Sequence, residues 1–389
     1  MPAFTGPLYT TPTQSTLTQR ERFRRVIHFQ KADHPVHMEF GWWEENFSIW
    51  QQQGMPKHVT NNWEGDKFFQ FDTFAHVPIG VDTNPGFKYK VLEEHDRYRV
   101  VSDHEGVICQ VFTDGSSSIP HFLKFPIETR ADWERFRDEH LSLDVERYPA
   151  NWAEEVIRLN ASDRPVSLSV GSMWGRIRDW MGFENVCFAV ADEPEFIAEI
   201  MDHLVKVVLN TIDLALRDVT VDVGSFWEDM AYNAGPMVSP RYFREYLTPR
   251  YKEITDFCKH RGVHDFYLDC DGDPRLLIDG WLAGGVNIMF PLERAGFMDP
   301  VALREKYGEE LVMMGGVDKT KLIAGRDAID RELEHLAPVV AAGGFIPHVD
   351  HRCPPDVTYA NYLYYLQRKC EVFGIPQPMD YAALRAEVE

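Results

Sequence analysis

The sequence predicts an α/β fold, a single (β/α)8 TIM barrel carrying an inserted antiparallel hairpin, and three observations lead there. From Val166 onward, short apolar runs near 166–171, 221–227, 265–270, 286–290, 311–315 and 344–348 alternate with helix-length amphipathic text such as Tyr242–Phe257 and Asp327–Val340. Runs at 36–40 and 74–79 bring the total to eight, the number that closes such a barrel. No Gly-x-Gly-x-x-Gly turn follows an early strand and no Walker-type phosphate loop is present, which leaves a doubly wound open sheet as the second choice.

Each element has a local cause. Thr18-Gln19-Arg20-Glu21 is a capping-box pattern, and Phe23, Val26 and Ile27 give the helix that follows an apolar stripe. The turn at Asp33-His34-Pro35 leads into a first strand, Val36 to Phe40. Between 88 and 113, β-favouring residues alternate on either side of Glu105-Gly106, which reads as the inserted hairpin. Pro120 and Pro126 close it, and helical text follows from Arg130 to Asn160. Residues 1–17, polar and rich in Thr and Pro, are expected to form an N-terminal extension, with the barrel running over 18–389.

Composition narrows the function classes. A formal charge of −21 opposes a phosphate backbone or an anionic membrane, so neither partner is expected. Arg20, Arg22, Arg24 and Arg25, the densest basic cluster, read as a solvated helix face. Six cysteines without a Cys-x-x-Cys pair argue against a disulfide scaffold or a thiolate zinc knuckle and point to a reducing compartment. With no apolar leader and no run long enough to cross a bilayer, a cytoplasmic protein is expected.

The barrel assignment places residues just past each strand on one face. That rim carries Glu39, Trp42 and Trp43, then Trp174, then Trp227, Glu228 and Asp229. Further along come Asp269, Asp271, Glu293 and the run Gly344 to Asp356, which holds His348, Asp350, His351 and Cys353. Imidazole, carboxylate and thiol are the groups that titrate near neutrality or bind metals. The plainer alternative for His348, Asp350 and His351 is a hydrogen-bonded network locking the last loop. For Asp269 and Asp271 it is turn chemistry at Asp-Gly-Asp-Pro, and for the tryptophans core packing. Asp269 and Asp271 alternate along a strand end, so both are expected to face one side with Cys270 turned away.

Several blocks, in this order and spacing, carry a resemblance. They are Arg20-Glu21-Arg22-Phe23 leading to Asp33-His34-Pro35-Val36, Ser239-Pro240-Arg241-Tyr242-Phe243 with Pro249, Leu268 to Gly272, Gly315-Gly316-Val317-Asp318, and Gly344 to Pro355. Over roughly residues 18 to 373 the chain resembles the uroporphyrinogen decarboxylase superfamily, which shares a (β/α)8 barrel and contains tetrapyrrole decarboxylases and corrinoid-linked methyltransferases. The decarboxylases carry paired arginines after the first strand, whereas this loop, Met38 to Glu45, has three glutamates and no arginine and would repel a polycarboxylate.

The resemblance therefore implies the methyltransferase branch, with cobalamin supplied free or by a separate corrinoid protein, and a homodimer. Its zinc-dependent members present a His-x-Cys-Gly motif, where this chain has Asp269-Cys270-Asp271-Gly272, and a cysteine after the last strand, where it has His351. Asp269, Asp271 and His351 are thus the implied ligands of a divalent metal; they form a harder donor set than two thiolates and a histidine, which leaves open whether the ion is zinc. His348, Asp350 and Glu228 are the expected acid–base groups, and Glu39, Trp42, Trp43, Trp174 and Trp227 the expected contacts to a flat small-molecule substrate. A decarboxylase of a smaller carboxylated ring compound and a non-catalytic binding barrel are the alternatives.

Overall fold

A computed structural model of the chain describes residues 16–113 and 120–389. The strands in chain order are β1 (Ala75–His76), β2 (Lys90–Glu94), β3 (Tyr98–Ser102), β4 (Ile108–Phe112), β5 (His121–Lys124), β6 (Val166–Ser169) and β7 (Val223–Trp227). They continue as β8 (Ala231–Tyr232), β9 (Gly235–Pro236), β10 (Phe266–Asp269), β11 (Ile288–Leu292), β12 (Val312–Val317) and β13 (Phe345–Val349). Seven of them form a curled parallel sheet in the order β1-β6-β7-β10-β11-β12-β13, with a helix or helices in every connection after β6. Their near-continuous apolar text follows from burial on both faces: Val312 to Val317 and Phe345 to Val349 are buried throughout.

Val36–Phe40, expected as the first of the eight strands, forms no β ladder. Its neighbourhood is tied in on both sides of the sheet's gap by other bonds. The Asp72 amide donates to His37 O (2.7 Å), the Cys353 amide donates to Gly41 O (2.9 Å), and the Val349 amide donates to the Glu39 carboxylate (3.1 Å).

The helix Gln19–Ile27 explains why chemistry belongs at the opposite end. Phe23, Val26 and Ile27 join Val223, Ile288, Val312 and Ile346 in one buried cluster, and the Gly344 amide just before β13 donates to Val26 O (2.8 Å). Apolar side chains thus close the end where the strands begin. Thr18 caps this helix through the Glu21 amide, while the Glu21 carboxylate pairs with Arg25 at 2.7 Å rather than completing the box. The basic cluster is also not a uniformly solvated face. Arg22 is 2% exposed and paired with Asp33 at 2.9 Å, and Arg20 pairs with Asp222 at 2.8 Å.

Between β1 and β6 the chain builds a four-stranded antiparallel sheet, β2-β3-β4-β5. The β3–β4 pair turns at Asp103 to Val107, where Asp103 accepts from the Glu105 and Val107 amides. β5 extends the sheet beyond the expected hairpin and begins directly after Pro120. The expected N-terminal extension falls almost wholly outside the described residues. No helix among the described residues is long and apolar enough to cross a membrane.

Candidate active site

At the end of the parallel sheet where its strands finish, Asp271 after β10, Glu293 after β11 and His351 after β13 bring one ligand atom each to within 4.8 Å of one another. His351 Nε2 lies 3.3 Å from Asp271 Oδ2. Glu293 accepts from Lys319 Nζ (2.9 Å) and from the Gly272 amide (2.9 Å). Gly272 sits at φ +81°, where a Cβ would meet the Ala231 carbonyl oxygen at 2.8 Å, so glycine is required at the turn that presents Asp271.

Burial alone would lower the His351 pKa; the hydrogen bond and charge of Asp271, with Glu293, reverse this and raise it. Asp269 is pushed up to about 8 by burial and then by Asp271 and Asp229, against the opposing pull of His351 and Arg352. Asp229 is raised by burial and by Asp271, although Arg178 pairs with it at 3.2 Å. Asp271 Oδ1 is buried without a hydrogen-bond partner. An excess of mutually repelling carboxyls beside an imidazole, with one buried oxygen unsatisfied, is the environment a hard divalent cation neutralises. The residues present therefore fit such an ion.

Asp269, expected with these ligands, lies outside the group. The strand ends at Asp269 and the chain turns, so the alternation that would align it with Asp271 no longer holds. Asp271 and Glu293 line a cavity of about 840 Å³, whose other walls include Phe122, Phe125, Phe183 and Tyr232. Asp269 lines a second cavity of about 690 Å³ together with Glu39, Asp66 and His348.

The remaining expected residues separate into cavity and core. His348 is fully buried, with Nδ1 2.8 Å from Val349 O and burial lowering its pKa to about 3; it stays neutral and is an acceptor at Nε2 rather than an acid. Asp350 accepts from the Arg294 and Lys319 amides (2.9 and 3.1 Å) and ties two rim loops together. Glu228, at 0% exposure, accepts from the amides of Met173 (2.7 Å), Trp174 (2.7 Å) and Gly175 (3.0 Å) and from the Ser172 hydroxyl (3.2 Å). It anchors the start of the helix Gly175–Met181 and is shut off from solvent.

Glu39 forms a buried ion pair with Lys369 at 2.7 Å. Trp42 and Trp174, each 1% exposed, are core residues. Trp43 stands beside His351 with ring centroids 5.6 Å apart, and Trp227 packs beneath Arg176 and Arg178. Cys270 and Cys353 are buried, with burial pushing both thiols well up. Glu293 was legible only as a rim residue, since no spacing motif links it to the other two.

Fold and site together define a class: an α/β protein with a curled parallel sheet and an acid–imidazole cluster where its strands end. The sequence profile of the uroporphyrinogen decarboxylase (URO-D) family matches residues 109–367, and the chain belongs to that family. Among solved structures, a methyltransferase from Methanosarcina mazei is similar in fold, with a TM-score of 0.56 and 12% identity over 96% of this chain and 99% of that chain. A B12-independent methionine synthase from Shewanella sp. W3-18-1, in complex with selenomethionine, aligns at a TM-score of 0.36 and 10% identity over 98% of each chain. No curated protein matches the sequence significantly.

Proposed function

We propose that this URO-D family member is a methyltransferase that moves a methyl group between a small molecule and a corrinoid, free or carried by a separate protein. The observation that carries the reading is the Asp271–Glu293–His351 cluster, two of whose members, Asp271 and Glu293, line a largely apolar cavity of about 840 Å³. A cavity of that size encloses a small molecule rather than a macromolecular chain. On this reading Val36–Phe40 acts as the eighth stave of the barrel, and the protein works in a reducing cytoplasm as a dimer.

Asp271, Glu293 and His351 would hold the divalent metal, which when bound supplies Lewis-acid polarisation of the methyl donor or acceptor. The chain's own groups do the rest. Phe122, Phe125, Phe183 and Tyr232 orient an apolar ring and exclude water. His351 holds a proton toward Asp271, and Trp43 limits its movement from one side. Lys319 balances the charge of Glu293, and Asp350 fixes the loops that carry Lys319 and Arg294.

Incubation with methylcobalamin and candidate acceptors, including tetrahydrofolate, coenzyme M and simple phenols, tests this through the corrin absorbance. Demethylation by the native chain that is lost in His351→Ala supports methyl transfer. Absence of demethylation with every acceptor, together with release of carbon dioxide from a carboxylated ring compound, would replace it with decarboxylation.

A further inference from the structure

The second cavity, about 690 Å³, has a polar inventory that the methyl-transfer reading does not use. Its walls include the aromatic rings of Phe40, Phe71, Phe74, Tyr267 and Phe290. Two of its carboxyl side chains, Glu39 and Asp72, are already matched: Glu39 by Lys369 at 2.7 Å, and Asp72 by Arg22 at 3.4 Å. The other two, Asp66 and Asp269, have no hydrogen-bond or ion-pair partner. The third polar feature is His348. It is 0% exposed and donates from Nδ1 to Val349 O, which leaves Nε2 as a bare acceptor without a partner.

Two exposed cations of the lining contact neighbouring wall residues. Lys67 lies over the Trp63 ring at 3.1 Å, and Arg164 donates to the Thr73 hydroxyl at 3.3 Å. The chamber thus offers two unpaired carboxyls, an imidazole acceptor and π faces, with the exposed donors of Lys67, His76 and Arg164 at its margin. A buried imidazole nitrogen left unsatisfied costs free energy that a native fold seldom concedes without use, and two half-buried carboxyls without a partner stand in the same cavity. A ligand that brings N–H donors, positive charge and an apolar body complements both the acceptors and the rings of this lining.

We propose that this chamber is a binding site for a small organic cation, a primary ammonium or amidinium attached to an apolar or aromatic group, held by Asp66, Asp269 and the Nε2 of His348. The site adjoins the rim cluster, with the Phe40 ring of its wall 5.4 Å from the His351 ring, but its occupancy does not depend on methyl transfer.

Calorimetric titration with benzylammonium, and with benzyl alcohol as the uncharged counterpart, tests the site by binding alone. The native chain binds benzylammonium at least about tenfold more tightly than benzyl alcohol, the scale of one charge-assisted contact. Asp66→Asn abolishes that preference while raising the melting temperature, because an unpartnered carboxyl has been removed from a half-buried place; a merely structural aspartate would lower it. Met314→Trp fills the chamber from the β12 side and blocks both probes, giving a second readout. Equal affinity for the two probes, no binding of either, or unchanged preference in Asp66→Asn overturns the proposal.

Discussion

His351 and Asp271 face each other where the strands of the parallel sheet end, Nε2 to Oδ2 at 3.3 Å, although 80 residues separate them in the chain (351 − 271). Burial would lower the imidazole pKa, and the partner carboxylate reverses that. Replacing Asp271 with Asn in metal-free protein should therefore drop the His351 pKa below the ordinary 6.5, as burial regains control. The sign for stability follows: with the folded pKa raised, the pair stabilises the fold below pH 6.5 and loses that contribution as pH rises through the folded value. An NMR titration of the His351 ring checks it, and an unchanged midpoint in Asp271→Asn would exclude the coupling.

Acid sensitivity should come from elsewhere. Burial would raise the Asp33 pKa, but the Arg22 guanidinium and the amides of Leu17 and Thr16 hold the carboxyl well below its usual range. The stabilisation is present above the unfolded carboxyl pKa of about 3.9 and is lost as pH falls through the depressed folded value. Asp33→Asn should cost about 3 kcal/mol at neutral pH, since it leaves the Arg22 charge buried with a weaker partner. Urea unfolding followed from pH 7 to pH 2 should also show a shallower acid slope in the variant than in the native chain. Parallel slopes would mean that this pair does not govern acid unfolding.

Glu228 separates positioning from chemistry. Four donors converge on its carboxylate, so Glu228→Gln, which places an amide donor against those groups, should cost about 2–3 kcal/mol. Where the variant remains folded, turnover should stay within about twofold of native, well short of the 10²-fold or greater loss expected for a general acid. A large loss of turnover with an unchanged melting temperature would return Glu228 to the catalytic group.

The adjacent tryptophans should respond in opposite ways. Trp42 packs against Trp50, Phe69 and Tyr362 in the core, and Trp42→Ala should cost about 3–5 kcal/mol. Trp43 is 38% exposed beside His351, and Trp43→Ala should leave stability within about 1 kcal/mol while lowering kcat/KM about tenfold. Thermal unfolding with steady-state kinetics on both variants decides it; similar stability losses would contradict the assignment.

That pair shows where the sequence is legible and where it is not. The strands β6, β7 and β10 to β13 fall on apolar runs because burial on both faces demands them, and their ends therefore located Asp271, Glu293 and His351 on one rim. Val36–Phe40 has similar text but pairs through Glu39, Asp72 and loop carbonyls, which no local pattern encodes. Trp42 and Trp43 carry equal side chains one residue apart, and only tertiary packing separates the core ring from the exposed ring beside His351. Asp269 and Asp271 diverge because the strand stops between them and the turn at Gly272 follows. Glu293 and Asp66 have no motif, so their roles emerge only from what they face.

Metal analysis of protein purified without chelator is the most direct test of the rim cluster. Mass spectrometry should find roughly one divalent ion per chain in the native protein and in Asp269→Asn, and a loss of at least about tenfold in occupancy in Asp271→Ala and in His351→Ala. Native protein that takes up no divalent ion even when one is supplied, or an occupancy unaffected by both rim substitutions, would contradict the assignment of Asp271, Glu293 and His351 as its ligands.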